Sequence, residues 1–156
     1  MASPVLSPVV SAAGSSAADA QPPAADGAAS PAVAAFACPE AEQQLLDASR
    51  LHVYHVALEL HCLCSTLVAT LSRIVKDQLE RASLSCVLNV AEAAGRRSRR
   101  DKARFYAIAR GSATETAALL DVLAVRRLAS PAAIRTGRRL AIRIVQMLTR
   151  IDQRLV

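Results

Sequence analysis

At 156 residues, with 53% hydrophobic side chains but 3% aromatics and no Trp, the chain can build one domain whose core is Ala, Leu, Val and Ile. Only five Gly leave little material for hairpin turns, which argues against a sheet-rich fold and predicts an all-α one. The net charge of +6 is uneven: five acids face one base before Leu51, and 18 Lys and Arg face eight acids from there on, so the later part carries +10.

Residues 1–39 are Ala, Pro and Ser with almost no large apolar side chains. Pro4, Pro8, Pro22, Pro23, Pro31 and Pro39 interrupt any long helix, and too little apolar surface is available to offset ordering entropy. This predicts a disordered N-terminal tail followed by a bundle domain over 40–156. The first 35 residues lack the basic start of a signal peptide, so a cytoplasmic location is expected.

A first helix is predicted from Pro39 or Glu40 to Leu71. Val53, Val56, Leu60, Leu63, Leu67 and Leu71 recur at spacings of three and four, flanked by Leu51, Tyr54 and Leu58. The uncharged run from Leu60 to Ser72 is shorter than the roughly 20 residues a membrane span needs. Cys62 and Cys64 point about 200° apart on a helix, so they cannot bond to each other. With Cys38 and Cys86 they show no disulfide framework, and packed, reduced thiols are expected.

The second helix is predicted over Lys76–Ala93, with Leu79, Ala82, Cys86 and Asn89 on one seam, Leu84, Val87, Leu88 and Ala91 beside it, and Gly95 as a C-cap. No Gly or Pro stands between Thr70 and Lys76, so one long helix through both remains an alternative. Ser98 is the expected N-cap of the third helix, with Asp101 three residues on favouring the dipole. Phe105, Ile108, Ser112, Glu115, Leu119 and Val122 supply its predicted seam. Ser130-Pro131 reads as N-cap and first residue of the fourth helix. Its seam, Ile134, Gly137, Ala141, Ile144, Leu148, Ile151 and Leu155, is the most regular in the chain. Short connections predict an antiparallel, up-down-up-down four-helix bundle.

Several polar residues fall on these seams: Arg81, Ser85, Asn89 and Glu92 on the second helix, Ser112 and Glu115 on the third. A buried, unpaired carboxylate costs several kcal/mol, so partners are expected across the bundle, with Arg81 and Arg110 as counter-ions. Glu92 and Glu115 as a pair would suit acid–base work or a metal. Di-iron bundles need Glu-x-x-His, whereas Gly95 and Ala118 stand three residues after these acids and His52, His55 and His61 all lie on the first helix. The favoured reading is a structural network that fixes helix register, with no catalytic residue, metal or cofactor. The group His61, Cys62, Cys64 lacks Cys-x-x-Cys spacing and reads as core packing. Tyr54 and Tyr106 are too isolated to form a base-stacking platform.

The clearest surface feature is the joint between the second and third helices. Arg96, Arg97, Arg99, Arg100, Lys102 and Arg104 place six bases beside one acid, Asp101, within nine residues. Such a cluster suits salt-dependent phosphate binding; the competing reading is a solvated turn in an Arg-rich chain. Arg126, Arg127, Arg135, Arg138, Arg139 and Arg143 are expected near the third-to-fourth-helix turn, at the other end.

The stretch from Gln78 to Glu92, with Asn89-Val90-Ala91-Glu92, continues through Gly95-Arg96-Arg97-Ser98 to Ala109-Arg110-Gly111-Ser112-Ala113-Thr114-Glu115. It resembles the four helix bundle protein family, which includes proteins encoded by intervening sequences in bacterial large-subunit ribosomal RNA genes. The likeness covers about Leu51 to Leu155, departing at Ala93, where the family usually has Gly, and in a short connection between the first two helices. The resemblance implies a left-handed antiparallel bundle, commonly a ring-shaped homopentamer, without known enzymatic activity. A related accessory protein of diversity-generating retroelements binds nucleic acid and a reverse transcriptase through a basic surface. The expected function is therefore a non-enzymatic homo-oligomer that binds RNA or DNA through the basic turn. The alternative is a protein-interaction scaffold whose Arg surface meets an acidic partner.

Overall fold

In a computed structural model of the chain, the structure describes residues 46–67 and 73–155. The expected disordered tail over 1–39, Cys38, and the proposed helix limits at Pro39, Glu40 and Leu71 lie outside the described residues. A 3-10 turn at Asp47–Arg50 leads into four helices: α1 (His52–Leu67), α2 (Arg73–Gly95), α3 (Arg99–Val125) and α4 (Pro131–Leu155). Each packs against the next, and α1 also packs against α4. The fold is an all-α four-helix bundle, and α1 and α2 lie side by side as separate helices.

Cross-helix contacts give the directions. Arg81 meets Glu115 and Ser85 meets Ser112, so α2 and α3 run antiparallel. Arg110 meets Asp152 and Arg138 meets Asp121, which makes α3 and α4 antiparallel as well. His52 with Arg143, and Leu63 beside Gly137, do the same for α1 and α4. The 96–98 turn and the 126–130 turn therefore lie at opposite ends of the bundle.

The start of α1 differs from the sequence expectation of continuous helix through Leu51. The Ser49 hydroxyl and amide both donate to the Leu46 carbonyl, at 2.6 and 3.1 Å, and Leu51 N–H donates to Ala48 O at 2.9 Å. This tight i-to-i−3 pattern leaves Leu51 extended (φ −94°, ψ 118°), so the α-helix starts at His52. His55 Nε2 donates to Ser49 O at 2.7 Å and ties the turn to α1. Helix α2 is longer than predicted by three residues at its start and two at its end, and Gly95 is its last helical residue.

Ser98 caps α3, its hydroxyl accepting from Asp101 N–H at 3.4 Å. Ser130 caps α4, accepting from Ala133 N–H at 3.2 Å, with Pro131 as the first helical residue. Between them α3 ends in a Schellman turn: Leu128 N–H donates to Leu123 O at 2.9 Å and Arg127 N–H to Ala124 O at 3.1 Å. Arg127 occupies the left-handed position (φ 54°) that such turns usually give to Gly.

The core is built from Val53, Val56 and Leu60 of α1, Leu79, Cys86 and Val90 of α2, Leu120 and Leu123 of α3, and Ile144 and Leu148 of α4. The predicted α4 seam is buried from Ile134 through Leu148 and half-buried at Ile151 and Leu155. On α2 the expected seam is buried at Leu79, Ala82 and Cys86 and half-buried at Asn89, with Val87 buried beside it; Leu84 and Leu88 are exposed, and Ser83 and Val90 complete the inner face. On α3 the predicted seam is turned by about one residue. Ser112 of that seam is buried and Phe105 and Leu119 are half-buried, but Ile108, Glu115 and Val122 are exposed, while Tyr106, Ala109, Ala113, Thr116, Leu120 and Leu123 face inward. Small side chains at 109, 113 and 116 let neighbouring helices approach closely, and the larger ones are displaced to the rim. Among the described residues no helix is long and apolar enough to cross a membrane.

Candidate nucleic-acid interface

The basic turn is short because both helices end sharply. Helix α2 stops at Gly95, and the Ser98 cap starts α3 at Arg99. Arg96 and Arg97 are thereby held in the loop, and Arg99, Arg100, Lys102 and Arg104 in the first two turns of α3. Arg96 is the restrained member: its guanidinium pairs with Glu92 one turn earlier and lies over the Phe105 ring, 5.0 Å from the centroid. Arg97, Arg99, Arg100 and Arg104 are exposed and Lys102 is half-buried. Among the described residues no acid forms an ion pair with any of these five.

Arg99, Arg100 and Lys102 stand in the first turn of α3, where the helix dipole is already positive. Cations there oppose the dipole by roughly 0.3–1 kcal/mol each at low salt, and Asp101 is the one acid present to offset them. An anion placed against the turn would relieve that repulsion. The site can therefore hold phosphate oxygens.

The residues expected to form an interior polar network divide into two groups. Ser85 and Ser112 meet at 2.9 Å, Asn89 Nδ2 donates to Ser85 O at 2.8 Å, and Arg81 donates to Glu115 Oε1 at 2.8 Å and to Gln78 Oε1 at 2.6 Å. Glu92 and Arg110 do not join them. Glu92 pairs with Arg96, and Arg110 turns to α4 to pair with Asp152 at 3.8 Å.

The inward placement expected for the two glutamates is corrected by their exposure, 46% for the Glu92 side chain and 43% for Glu115. The one-residue turn of α3 is the reason for Glu115. The two acids also stand far apart. On the register set by Ser85 and Ser112, Glu92 lies level with about residue 105, some 15 Å along the axis from Glu115. They cannot act on one substrate atom or hold one ion.

Two buried hydroxyls outside the expected network make contacts of their own, Ser83 with a neighbouring helix and Thr116 within α3. Buried Ser83 donates to Leu79 O at 2.8 Å and accepts from His61 Nδ1 at 2.9 Å. It links α1 to α2. Buried Thr116 donates to Ser112 O at 2.8 Å. The spacing Leu79, Ser83, Cys86, Val90 marks Ser83 as a seam residue, so a signal for it existed. Burial pushes the thiols of Cys64 and Cys86 up to about 12 from an ordinary 9.0, which makes both poor nucleophiles. Cys62 is half-buried, and burial also raises the Tyr106 phenol. Among the described residues no three His, Cys, Asp or Glu side chains converge as a metal-binding group.

Fold and surface together define an antiparallel four-helix bundle with an arginine-rich end. A family model described as 23S rRNA-intervening sequence protein matches residues 40–150, and the chain belongs to that family. No curated protein matches the chain.

Proposed function

We propose that this chain is a non-enzymatic, homo-oligomeric, cytoplasmic bundle that binds nucleic acid, RNA foremost, through Arg96, Arg97, Arg99, Arg100, Lys102 and Arg104. The observation that carries the reading is the cluster of five bases at the α2–α3 turn with no acid paired to them among the described residues. Placement against the α3 dipole adds to the positive potential that a phosphate would meet. The family's printed description, which ties it to a 23S rRNA intervening sequence, makes RNA the first ligand to try.

Self-association is supported by the outer face of the α2–α3 pair. Leu84, Leu88 and Ile108 are 43%, 58% and 42% exposed there, although each is a large apolar side chain. On the Ser85–Ser112 register, Leu88 and Ile108 stand at nearly the same level on either side of the groove. A second copy of the chain is the occupant this reading assigns to that face.

The test compares wild type with a variant carrying Gln at all six basic positions, on mixed-sequence RNA and DNA. Binding at low salt that is lost in the variant supports the reading. Negligible wild-type binding, or wild-type affinity in the variant, overturns it. A stoichiometric protein partner that survives nuclease treatment would favour the scaffold reading instead.

A further inference from the structure

The outer face of α4 is a second positively charged surface, distinct from the turn. Arg135, Arg138, Arg139, Arg143, Arg150 and Arg154 are all exposed, interrupted by exposed Ile142, Gln146 and Gln153. On a helical wheel they fall within one side of the helix, opposite Ile134, Ala141, Ile144 and Leu148. The single acid of α4, Asp152, lies on the flank and pairs with Arg110 of α3. The face therefore has one sign of charge from Arg135 to Arg154, about 28 Å at 1.5 Å per residue.

Its members are held in two ways. Arg138 is paired with Asp121, and Arg143 donates to His52 Nε2 at 2.6 Å, so these two guanidinium groups are oriented by the bundle. Among the described residues, Arg135, Arg139, Arg150 and Arg154 have no acid partner. Two shallow grooves that share Arg135 extend the surface to Arg127, the residue that holds a left-handed backbone position. A side chain kept at a site that favours Gly by about 1 kcal/mol or more fits a charge that is used.

We propose that this face is a sequence-independent binding surface for the phosphodiester backbone of a double-stranded nucleic acid. The proposal rests on the nucleic-acid reading above and adds a surface which that reading does not use. Its length approaches one duplex turn of 34–36 Å, and arginines spaced along a rigid helix suit successive phosphates. Helix α4 has no aromatic residue, so it offers no stacking platform for unpaired bases. Its apolar side is committed to the bundle core, so it cannot be inserted into a lipid bilayer.

The experiment uses the full chain and a variant with Arg135→Gln, Arg139→Gln, Arg150→Gln and Arg154→Gln, alongside a turn variant with Gln at 97, 99, 100, 102 and 104. Circular dichroism and solution mass establish that each keeps the wild-type fold and assembly. The probes are a mixed-sequence RNA duplex, one of its strands alone, and phosphatidylserine–phosphatidylcholine vesicles. The proposal expects the α4 variant to bind the duplex at least tenfold more weakly, with a slope of log K against log salt shallower by about 3–4. It expects the turn variant to keep part of its duplex affinity. Wild-type duplex affinity in the α4 variant overturns the proposal while leaving the turn reading intact if the turn variant fails to bind. Stronger α4-dependent binding to the single strand or to vesicles than to the duplex overturns it too. Absence of any nucleic-acid binding by wild type overturns both readings.

Discussion

Leu120 of α3 lies so close over Gly137 of α4 that a Cβ at Gly137 would stand 2.7 Å from Leu120 Cδ1 and 3.2 Å from Leu63 Cδ2. Leu120 is fully buried, so its methyl group has little room to retreat. Gly137 is kept for close packing of α3, α4 and α1, at a cost in helix propensity.

The contrast with Gly111 gives a stability test. A Cβ at Gly111 meets nothing within 4 Å, so Gly111→Ala should stabilise the isolated fold by up to about 1 kcal/mol. Gly137→Ala gains the same propensity but overpacks the core, where such insertions cost about 1–3 kcal/mol. It should be neutral to destabilising by about 2 kcal/mol. Denaturant unfolding of the two variants would show the difference directly, and equal stabilisation by both would contradict the packing described.

Arg127 predicts a change of the opposite kind. Arg127→Gly removes the Cβ from a left-handed position and should stabilise the α3–α4 turn by about 1 kcal/mol. The same substitution removes a charge beside the α4 face, so thermal unfolding and duplex affinity should move in opposite directions.

The buried thiols set a pH dependence. Both Cys64 and Cys86 are lifted from 9.0 to about 12 by burial. Their folded-state values lie above the unfolded ones, so the unfolded chain releases protons first as pH rises. Stability is fully present below pH 9 and falls between about 9 and 12, by up to about 1.4 kcal/mol per pH unit for each thiol. A Cys64→Ala/Cys86→Ala variant should show a flatter profile over that range. In the native protein a thiol reagent should reach Cys62 before either of the other two.

The glutamates bear on energetics more than on chemistry. Glu92 and Glu115 each pair with an arginine at the surface, where such pairs contribute about 0–1 kcal/mol. Glu92→Gln and Glu115→Gln should each lower stability by less than about 1 kcal/mol and leave helix content unchanged. A loss of several kcal/mol would show that these carboxylates are more buried in the working assembly than in one chain.

That assembly is tested at the α2–α3 face. Leu84→Glu with Leu88→Glu should leave the helical spectrum intact and reduce the solution mass to that of one chain. A wild-type protein that sediments as a monomer would remove the homo-oligomer from the account.

How far the sequence reveals these features depends on what defines each helix. Helix α4 is legible because its seam uses Ile and Leu while its outer face is Arg and Gln, a contrast that periodicity detects. Caps at Ser98 and Ser130 are local chemistry and are legible for the same reason. Helix α3 is less legible because its core positions include Ala109, Ala113 and Thr116, whereas Ile108 and Val122 are larger and more apolar yet exposed. Hydrophobic pattern rewards size, and close helix contact rewards smallness. The predicted seam carries Glu115 inward with it. The basic turn is visible as composition, but the lack of an acid partner at Arg97, Arg99, Arg100, Lys102 and Arg104 depends on where Glu92, Glu115 and Asp152 stand, held by Arg96 of the same turn, Arg81 and Arg110.

The most direct measurement of the central claim is the salt dependence of wild-type binding to mixed-sequence RNA. If the five bases without an acid partner at the turn contact phosphates, log K should fall linearly with log salt, with a slope of about −3 to −5. A flat dependence, or no measurable complex at low salt, would contradict the account.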